Sequence, residues 1–361
     1  MSKKIKILQI IPNLERGGAE RICLELSQGL GKNNFSLAVL LFKDSSLDSP
    51  EKSLLRSQGI EIFSLKKRSR VDFKNWRAIF KVIKSWQPDL VHTHLGGDIY
   101  GVLAAKLAGV KTVITTEHNV NQSERRLTSW LKTLSLLFVD QVVAVSQAVQ
   151  ADALDRYHLN PDKLTVVYNG ISDQFLEVNK RSISSPITLG TLGRLSPQKG
   201  LNTLIEAVSL SRQSNYQLLI GGAGELKEDL EAQIARLNLS DRIKLLGLVE
   251  PLDFFSQIDI FVLSSHWEGF GLVALEAGAQ RRPLIVSQID GLAEIVDSER
   301  AYFFPPQKAS ALAEKIDYLI DNLESAEVLA KVEKNYQYIK ENFSVDKMIT
   351  AYQDLYLNLI N

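Results

Sequence analysis

The segment Glu268-Gly-Phe-Gly-Leu-Val-Ala-Leu-Glu276 places two carboxylates eight positions apart with two glycines between them. It follows an apolar run, Asp259-Ile-Phe-Val-Leu-Ser, that reads as a buried strand, and Gly271 onward reads as a helix start. Eight residues of continuous helix would rise ~12 Å and turn the two side chains apart. Glu268 is therefore expected in the loop, with Glu276 a turn inside the helix. The free N–H groups of Gly271, Leu272 and Val273 then form an anion site strengthened by the helix dipole. A carboxylate on each side of such a site suits a sugar hydroxyl at one end and a ribose at the other, the outline of a nucleotide-sugar. The plainer alternative is a strand–turn–helix carrying two solvated glutamates.

A second group of residues has matching chemistry. The strand candidate Ile187–Leu192 runs into Gly193-Arg194-Leu-Ser-Pro-Gln-Lys199-Gly200, which puts two cations at a strand end just before a helix. A guanidinium fork and a mobile ammonium suit a diphosphate on which charge builds as a glycosidic bond breaks. The same two residues also suit a solvated loop. Gly17-Gly18, after the first strand, would let a phosphate or sugar approach the backbone. Gly221-Gly222-Ala-Gly224-Glu225 resembles a dinucleotide fingerprint but has Lys227 where the third glycine belongs, which excludes a nicotinamide or flavin site. His118 follows the strand Thr112–Thr116 and could bond a donor-sugar hydroxyl or help neutralise charge near the reacting carbon. His92 and His94 share one strand face near Asp98 but lack a full metal-ligand set, so packing or acceptor-side roles suit them.

The elements that must position these groups alternate strand and helix. Strands are expected at Ile5–Ile11, Ser36–Phe42, Glu61–Leu65, Leu90–Thr93, Thr112–Thr116 and Gln141–Val145. A second series runs Ile187–Leu192, Gln217–Ile220, Ile243–Leu246, Ile260–Leu263 and Pro283–Val286. Amphipathic stretches such as Ala19–Leu30, Trp76–Trp86, Gly200–Ser209 and Lys227–Leu237 fall between them. This predicts an α/β chain of parallel, doubly wound sheets. A length of 361 residues suggests two domains. The polar, serine-rich stretch Asp173–Pro186 is the expected linker, giving domains at 1–178 and 187–342, with the 343–361 helix packing back on the first. In such sheets ligands sit at the strands' C-terminal ends.

Composition narrows the setting. Residues 1–180 carry 25 Lys/Arg against 18 Asp/Glu, a net +7, and the remainder carries 17 against 24, a net −7. The first half is therefore expected to face something anionic. Lys66–Lys84 and the cluster Arg125, Arg126, Trp130 and Lys132 mix cations with aromatics, which suits either an anionic membrane surface or ordinary surface helices. No nucleic-acid recognition motif is present. The lone Cys23 fits a reducing compartment, and no stretch is apolar enough to span a bilayer. A cytoplasmic protein is expected, peripheral on the cytosolic face of the membrane if it attaches.

Together the Gly17-Gly18 pair, Thr116-Glu117-His118-Asn119, Val145-Ser146, Tyr168-Asn169-Gly170, Gly193-Arg194 to Lys199-Gly200, Gly222-Ala-Gly224-Glu225 and Glu268-Gly-Phe-Gly to Glu276 resemble glycosyltransferase family 4. These are retaining GT-B enzymes with two facing Rossmann-like domains and a cleft between them. The resemblance implies that Arg194 and Lys199 hold the donor diphosphate with the Leu272 and Val273 amides. It assigns Glu276 to the ribose, Glu268 to the donor sugar, and the backbone at Leu248-Val249 to the base. Gly18 would approach the diphosphate and His118 the sugar. It further implies no metal or other cofactor, a UDP-sugar before a GDP-sugar as donor, and a lipid-linked or cell-envelope glycan as acceptor. Retention would follow a front-face route in which the leaving phosphate takes the acceptor proton, since no second, partnered carboxylate of the glycosidase kind is present. A nucleotide-sugar epimerase and a non-catalytic nucleotide-sugar binder share the fold and are the alternatives.

Overall fold

A computed structural model describes residues 4–15, 17–31, 35–44, 49–66, 73–120, 126–177, 183 and 185–360. The chain forms two compact units, one from Met1–Gly170 with Val345–Asn361 and one from Ile171–Ser344.

In the first unit β1 (Ile5–Ile11), α1 (Gly18–Gly31), β2 (Phe35–Leu41), α2 (Pro50–Ser57) and β3 (Glu61–Ser64) lead to α3 (Phe73–Trp86). Then follow β4 (Leu90–His94), α4 (Gly97–Leu107), β5 (Thr112–Glu117), α5 (Arg126–Leu136), β6 (Gln141–Ala144), α6 (Gln147–Tyr157) and β7 (Leu164–Val166). The strands order as β3-β2-β1-β4-β5-β6-β7, and every pairing is parallel. The central strands β1, β4 and β5 are almost wholly buried, polar residues such as Gln9, His92, His94 and Glu117 included. α1 turns Ile22, Cys23, Leu26 and Leu30 inward at helical spacing. α6 starts where Ser146 Oγ accepts from the Val149 N–H at 3.0 Å, which gives the Val145-Ser146 motif a capping role.

The second unit runs β8 (Ile187–Leu192), α7 (Leu201–Leu210), β9 (Tyr216–Gly221), α8 (Lys227–Arg236), β10 (Ile243–Gly247), α9 (Pro251–Gln257) and β11 (Ile260–Leu263). It continues with α10 (Leu272–Ala279), β12 (Leu284–Ser287), α11 (Asp290–Ala293), β13 (Tyr302–Phe304), α12 (Ala309–Asn322) and α13 (Ala326–Asn342). Its parallel sheet orders as β10-β9-β8-β11-β12-β13. The polar stretch after Asp173 begins inside this unit, because the Gln280 side-chain amide donates to the Phe175 and Glu177 carbonyls at 2.7 and 3.2 Å.

The last helix, α14 (Val345–Ile360), belongs to the first unit and turns Val345, Met348, Tyr352 and Tyr356 inward. Tyr356 OH meets His92 Nδ1 at 2.7 Å and Tyr352 OH meets Thr116 Oγ1 at 3.1 Å. α14 therefore binds the C-terminal ends of β4 and β5 through hydroxyls that would otherwise be buried unpaired. Two short strands, β7 and β13, fall outside the expected series. Each has three residues at a sheet edge, too few to show a period of two.

In both sheets the strand order reverses at the centre, between β1 and β4 and between β8 and β11. Loops leaving the strands on either side of such a point diverge and leave room for a ligand.

Candidate active site

In the second unit the sequence-predicted residues gather at the β8/β11 reversal. Arg194 and Lys199 follow β8 and line one crevice with Leu192, Gly193, Leu201 and Gly221. Arg194 is exposed and Lys199 half-buried. Glu268 follows β11 and is 7% exposed. Lys199 Nζ donates to Glu268 Oε1 at 2.5 Å, and Ser265 Oγ donates to the same oxygen at 2.5 Å. Gln198 Nε2 donates to Glu268 Oε2 at 3.3 Å and to the Trp267 carbonyl at 3.1 Å. A carboxylate this buried persists as an anion only with such partners.

The backbone is shaped to allow this approach. Gly200 has φ 56° and ψ 31°, and a Cβ there would lie 2.2 Å from the Ser264 carbonyl oxygen. Only glycine lets the chain turn from Lys199 into α7 against the β11 loop. Gly271 caps α10 from the left-handed region, with φ 78° and ψ 41°. The first-turn amides of Leu272 and Val273, four and five residues past Glu268, have no intrahelical acceptor, and both residues are half-buried. Glu276 is buried one turn further on, as the carboxylate spacing predicts. The run 221–224 braces the cationic loop: Leu195 N–H donates to the Ala223 carbonyl and Gly193 N–H to the Gly221 carbonyl, each at 3.0 Å. Val249 is half-buried against Gly221, and Leu248 is exposed.

The first unit holds the other predicted residues. Gly17 precedes α1 and Gly18 opens it, with Gly18 exposed. His118 is part-buried after β5, and its Nε2 lies 3.0 Å from His94 Nδ1. Burial, together with the Lys132 cation, pushes the His118 pKa down to about 3. In the free protein the ring is therefore neutral, which suits the hydroxyl contact better than the charge-neutralising role. His92 and His94 are fully buried and engaged, His92 with Thr116 and Tyr356, and His94 with Gln9 and His118. Burial is the main cause that holds both well below the usual histidine range. Among the described residues no group of three His, Cys, Asp or Glu could hold a metal ion.

One expectation is corrected. Lys132 is not a surface cation: it is buried, with Nζ 2.6 Å from Glu117 Oε2 and 3.9 Å from Asp98 Oδ2, and 5.1 Å from the Tyr157 ring centre. Trp130, two residues earlier, is exposed. Two helical positions are about 200° apart, so these residues occupy opposite faces. Arg125 lies outside the described residues, as do the Arg126 side chain and residues 67–72. On α3, Lys74, Arg77, Lys81 and Lys84 are exposed while Ile79, Ile83 and Trp86 are buried. Leu103, Leu107, Leu134, Leu137 and Phe138, on and just after α4 and α5, are exposed, as is Trp130. No helix of the described residues is long and apolar enough to cross a membrane.

Sequence reasoning did not find Gln198, Ser265, Gln9 or Ser27. Ser265 was within reach, because Ser264-Ser265 directly follows a strand end at the ligand edge.

The solved structure of a glycosyltransferase from Rickettsia africae ESF-5 matches over 99% of this chain and 99% of its own, with TM-score 0.83 and 22% identity. Anabaena Alr3699/HepE, solved in complex with UDP and glucose, matches over 98% and 100%, with TM-score 0.87 and 19% identity. The fold is therefore GT-B, with two Rossmann-like domains in one chain. Family models described as Glycosyltransferase Family 4 and Glycosyl transferases group 1 match residues 16–175 and 173–336. The chain belongs to this glycosyltransferase family and is a sugar-transferring enzyme. An Escherichia coli protein described as UDP-Gal:alpha-D-GlcNAc-diphosphoundecaprenol alpha-1,3-galactosyltransferase is 26% identical, over 98% of each chain. The O-antigen biosynthesis glycosyltransferase WclY of Escherichia coli is also 26% identical, over 98% of this chain and 99% of its own.

Proposed function

We propose that this glycosyltransferase moves a sugar, with retention, from a UDP-sugar to a lipid-linked or cell-envelope glycan. The observation that carries the reading is the Lys199–Glu268 pair at the β8/β11 reversal, with Arg194 in the same crevice and the α10 amides following. Arg194, Lys199 and the Leu272 and Val273 N–H groups take the diphosphate and stabilise the charge that gathers on it, with no metal required. Gly17 and Gly18 leave room for the diphosphate at the α1 start. Glu276 takes the ribose, Leu248 and Val249 meet the base, and Glu268 and His118 take sugar hydroxyls. In the front-face step the glycosidic C–O bond breaks and the acceptor oxygen bonds the anomeric carbon on the same side. The acceptor proton passes to the departing phosphate oxygen. The UDP-Gal and diphosphoundecaprenol in one relative's name, and the UDP and glucose in a structural neighbour's, support the donor and acceptor classes.

From the proposed acceptor class we infer a cytoplasmic enzyme, peripheral on the cytosolic face of the membrane. The exposed Leu103, Leu107, Trp130, Leu134, Leu137 and Phe138 support this, because α4 packs against both α5 and the basic α3. Exposed apolar residues flanked by cations fit an anionic bilayer. A thermal-shift panel of UDP-, GDP- and ADP-sugars tests the donor, since a bound donor raises the melting temperature with its affinity. Turnover that requires a lipid-linked acceptor supports transfer; turnover without acceptor would indicate an epimerase instead.

A further inference from the structure

A chain of hydrogen bonds inside the first unit determines which nitrogen of His118 carries its proton. Ser27 Oγ lies 2.8 Å from the Cys23 carbonyl oxygen four residues earlier. A carbonyl only accepts, so Ser27 donates its single hydroxyl proton there. Ser27 Oγ then accepts from Gln9 Nε2 at 2.8 Å, and Nε2 also lies 3.5 Å from the Cys23 carbonyl. Turning the Gln9 amide over would set its oxygen against two oxygens with no proton to share. Gln9 Oε1 therefore faces His94 Nε2, 3.1 Å away, and His94 carries its proton on Nε2. His94 is fully buried and neutral, so its Nδ1 bears a lone pair. Across 3.0 Å, that lone pair accepts from His118 Nε2–H.

We propose that Gln9 and His94 are positioning residues that hold His118 with Nδ1 unprotonated, as a fixed acceptor for a hydroxyl of the donor sugar. Among the described residues His118 Nδ1 has no hydrogen-bond partner, and the residue is not fully buried. An unprotonated ring nitrogen repels a phosphate oxygen and accepts from O–H, so the ligand group it selects is a hydroxyl. The Lys132 cation opposes protonation of the ring and keeps this acceptor in place. The ligand's identity rests on the proposed donor; the position of the proton does not.

The test is nitrogen-edited NMR of the full chain labelled at histidine, with His118 assigned from the signals lost in His118→Asn. Free wild-type protein is expected to show a pyridine-like Nδ1 and a pyrrole-like Nε2 at His118. The Nδ1 resonance should move on adding UDP-glucose or UDP-galactose and stay in place with UDP. In Gln9→Met the two tautomers should mix, and the preference for UDP-sugar over UDP should fall about fivefold to tenfold with UDP affinity unchanged. A proton on His118 Nδ1 in the free wild type would overturn the proposal. So would an Nδ1 resonance that UDP-sugars leave unmoved, or one that UDP alone moves equally; both are read on the wild-type chain. A chain that binds neither UDP nor UDP-sugar would refute the donor reading and the sugar-hydroxyl role together, while the free-protein spectrum still decides the tautomer.

Discussion

Glu268→Gln should separate nucleotide binding from turnover. In the free enzyme the Lys199 ammonium is held by Glu268 at 2.5 Å. A phosphate oxygen bound to the same ammonium would come within about 5 Å of the carboxylate, where an effective dielectric of about 20 gives a repulsion of about 3 kcal/mol per unit charge. Lys199 keeps some solvent contact, and screening there reduces this to about 1.4 kcal/mol, a factor of about ten in affinity. The amide is nearly the same size and its oxygen still accepts from Lys199 and Ser265; the 3.3 Å bond from Gln198 is lost, but Gln198 keeps the Trp267 carbonyl, so the loop should keep its shape. Calorimetric titration should show UDP binding about tenfold tighter in the variant at low salt, with the gain shrinking as salt rises. The rate of UDP release with acceptor present should fall by about 10²-fold or more, since the sugar contact is lost. UDP binding weakened by about threefold or more in a folded variant would refute the reasoning. A covalent glycosyl adduct on Glu268, sought by mass spectrometry, would refute the front-face step.

Replacing Lys132 by Met leaves Glu117 and Asp98 buried without their cation, and urea denaturation should show a loss of about 3–5 kcal/mol, partly recovered by adding Glu117→Gln. His118 titrates near 3 when folded, below its unfolded value, so the unfolded chain binds more protons in that interval and stability must fall as pH drops from about 6.5 towards 3. His92 and His94, also held low, add to that slope, so His118→Asn should lessen it without abolishing it in a pH series of urea melts; an unchanged slope would exclude the depressed value. Trp130→Ser with Phe138→Ser should weaken binding to anionic vesicles by about tenfold or more in co-sedimentation, leaving UDP affinity unaltered. Lys74→Glu with Arg77→Glu should weaken it by about 1 kcal/mol per residue in a salt-sensitive way, and vesicle binding unmoved by either pair would dismiss the membrane face.

Much of this fold is legible in the chain because strand and helix periods repeat locally. Ile187–Leu192 and Ile260–Leu263 are strands with the expected bounds, and the gap from Glu268 to Glu276 places a loop before a helix without any coordinates. β7 and β13 are too short to carry a period and exist because a neighbouring strand offers its edge. Lys132 shows a different limit. Its charge suggested the surface, yet it shares a helix with Trp130 on the opposite face, and its partners lie 15 and 34 positions earlier in the sequence.

The sequence by itself determined which residue types stand at the strand ends: two cations after β8, two carboxylates around a glycine-capped helix after β11, and a histidine after β5. Those follow from neighbours a few positions apart, where backbone geometry leaves little choice. Only the tertiary structure decided that Lys199 is gripped by Glu268, that Gln198 and Ser265 share the load, and that Gln9 reaches His94 across 85 positions. Strand order brings those groups to one edge, and order depends on how the whole sheet pairs, which no local pattern encodes.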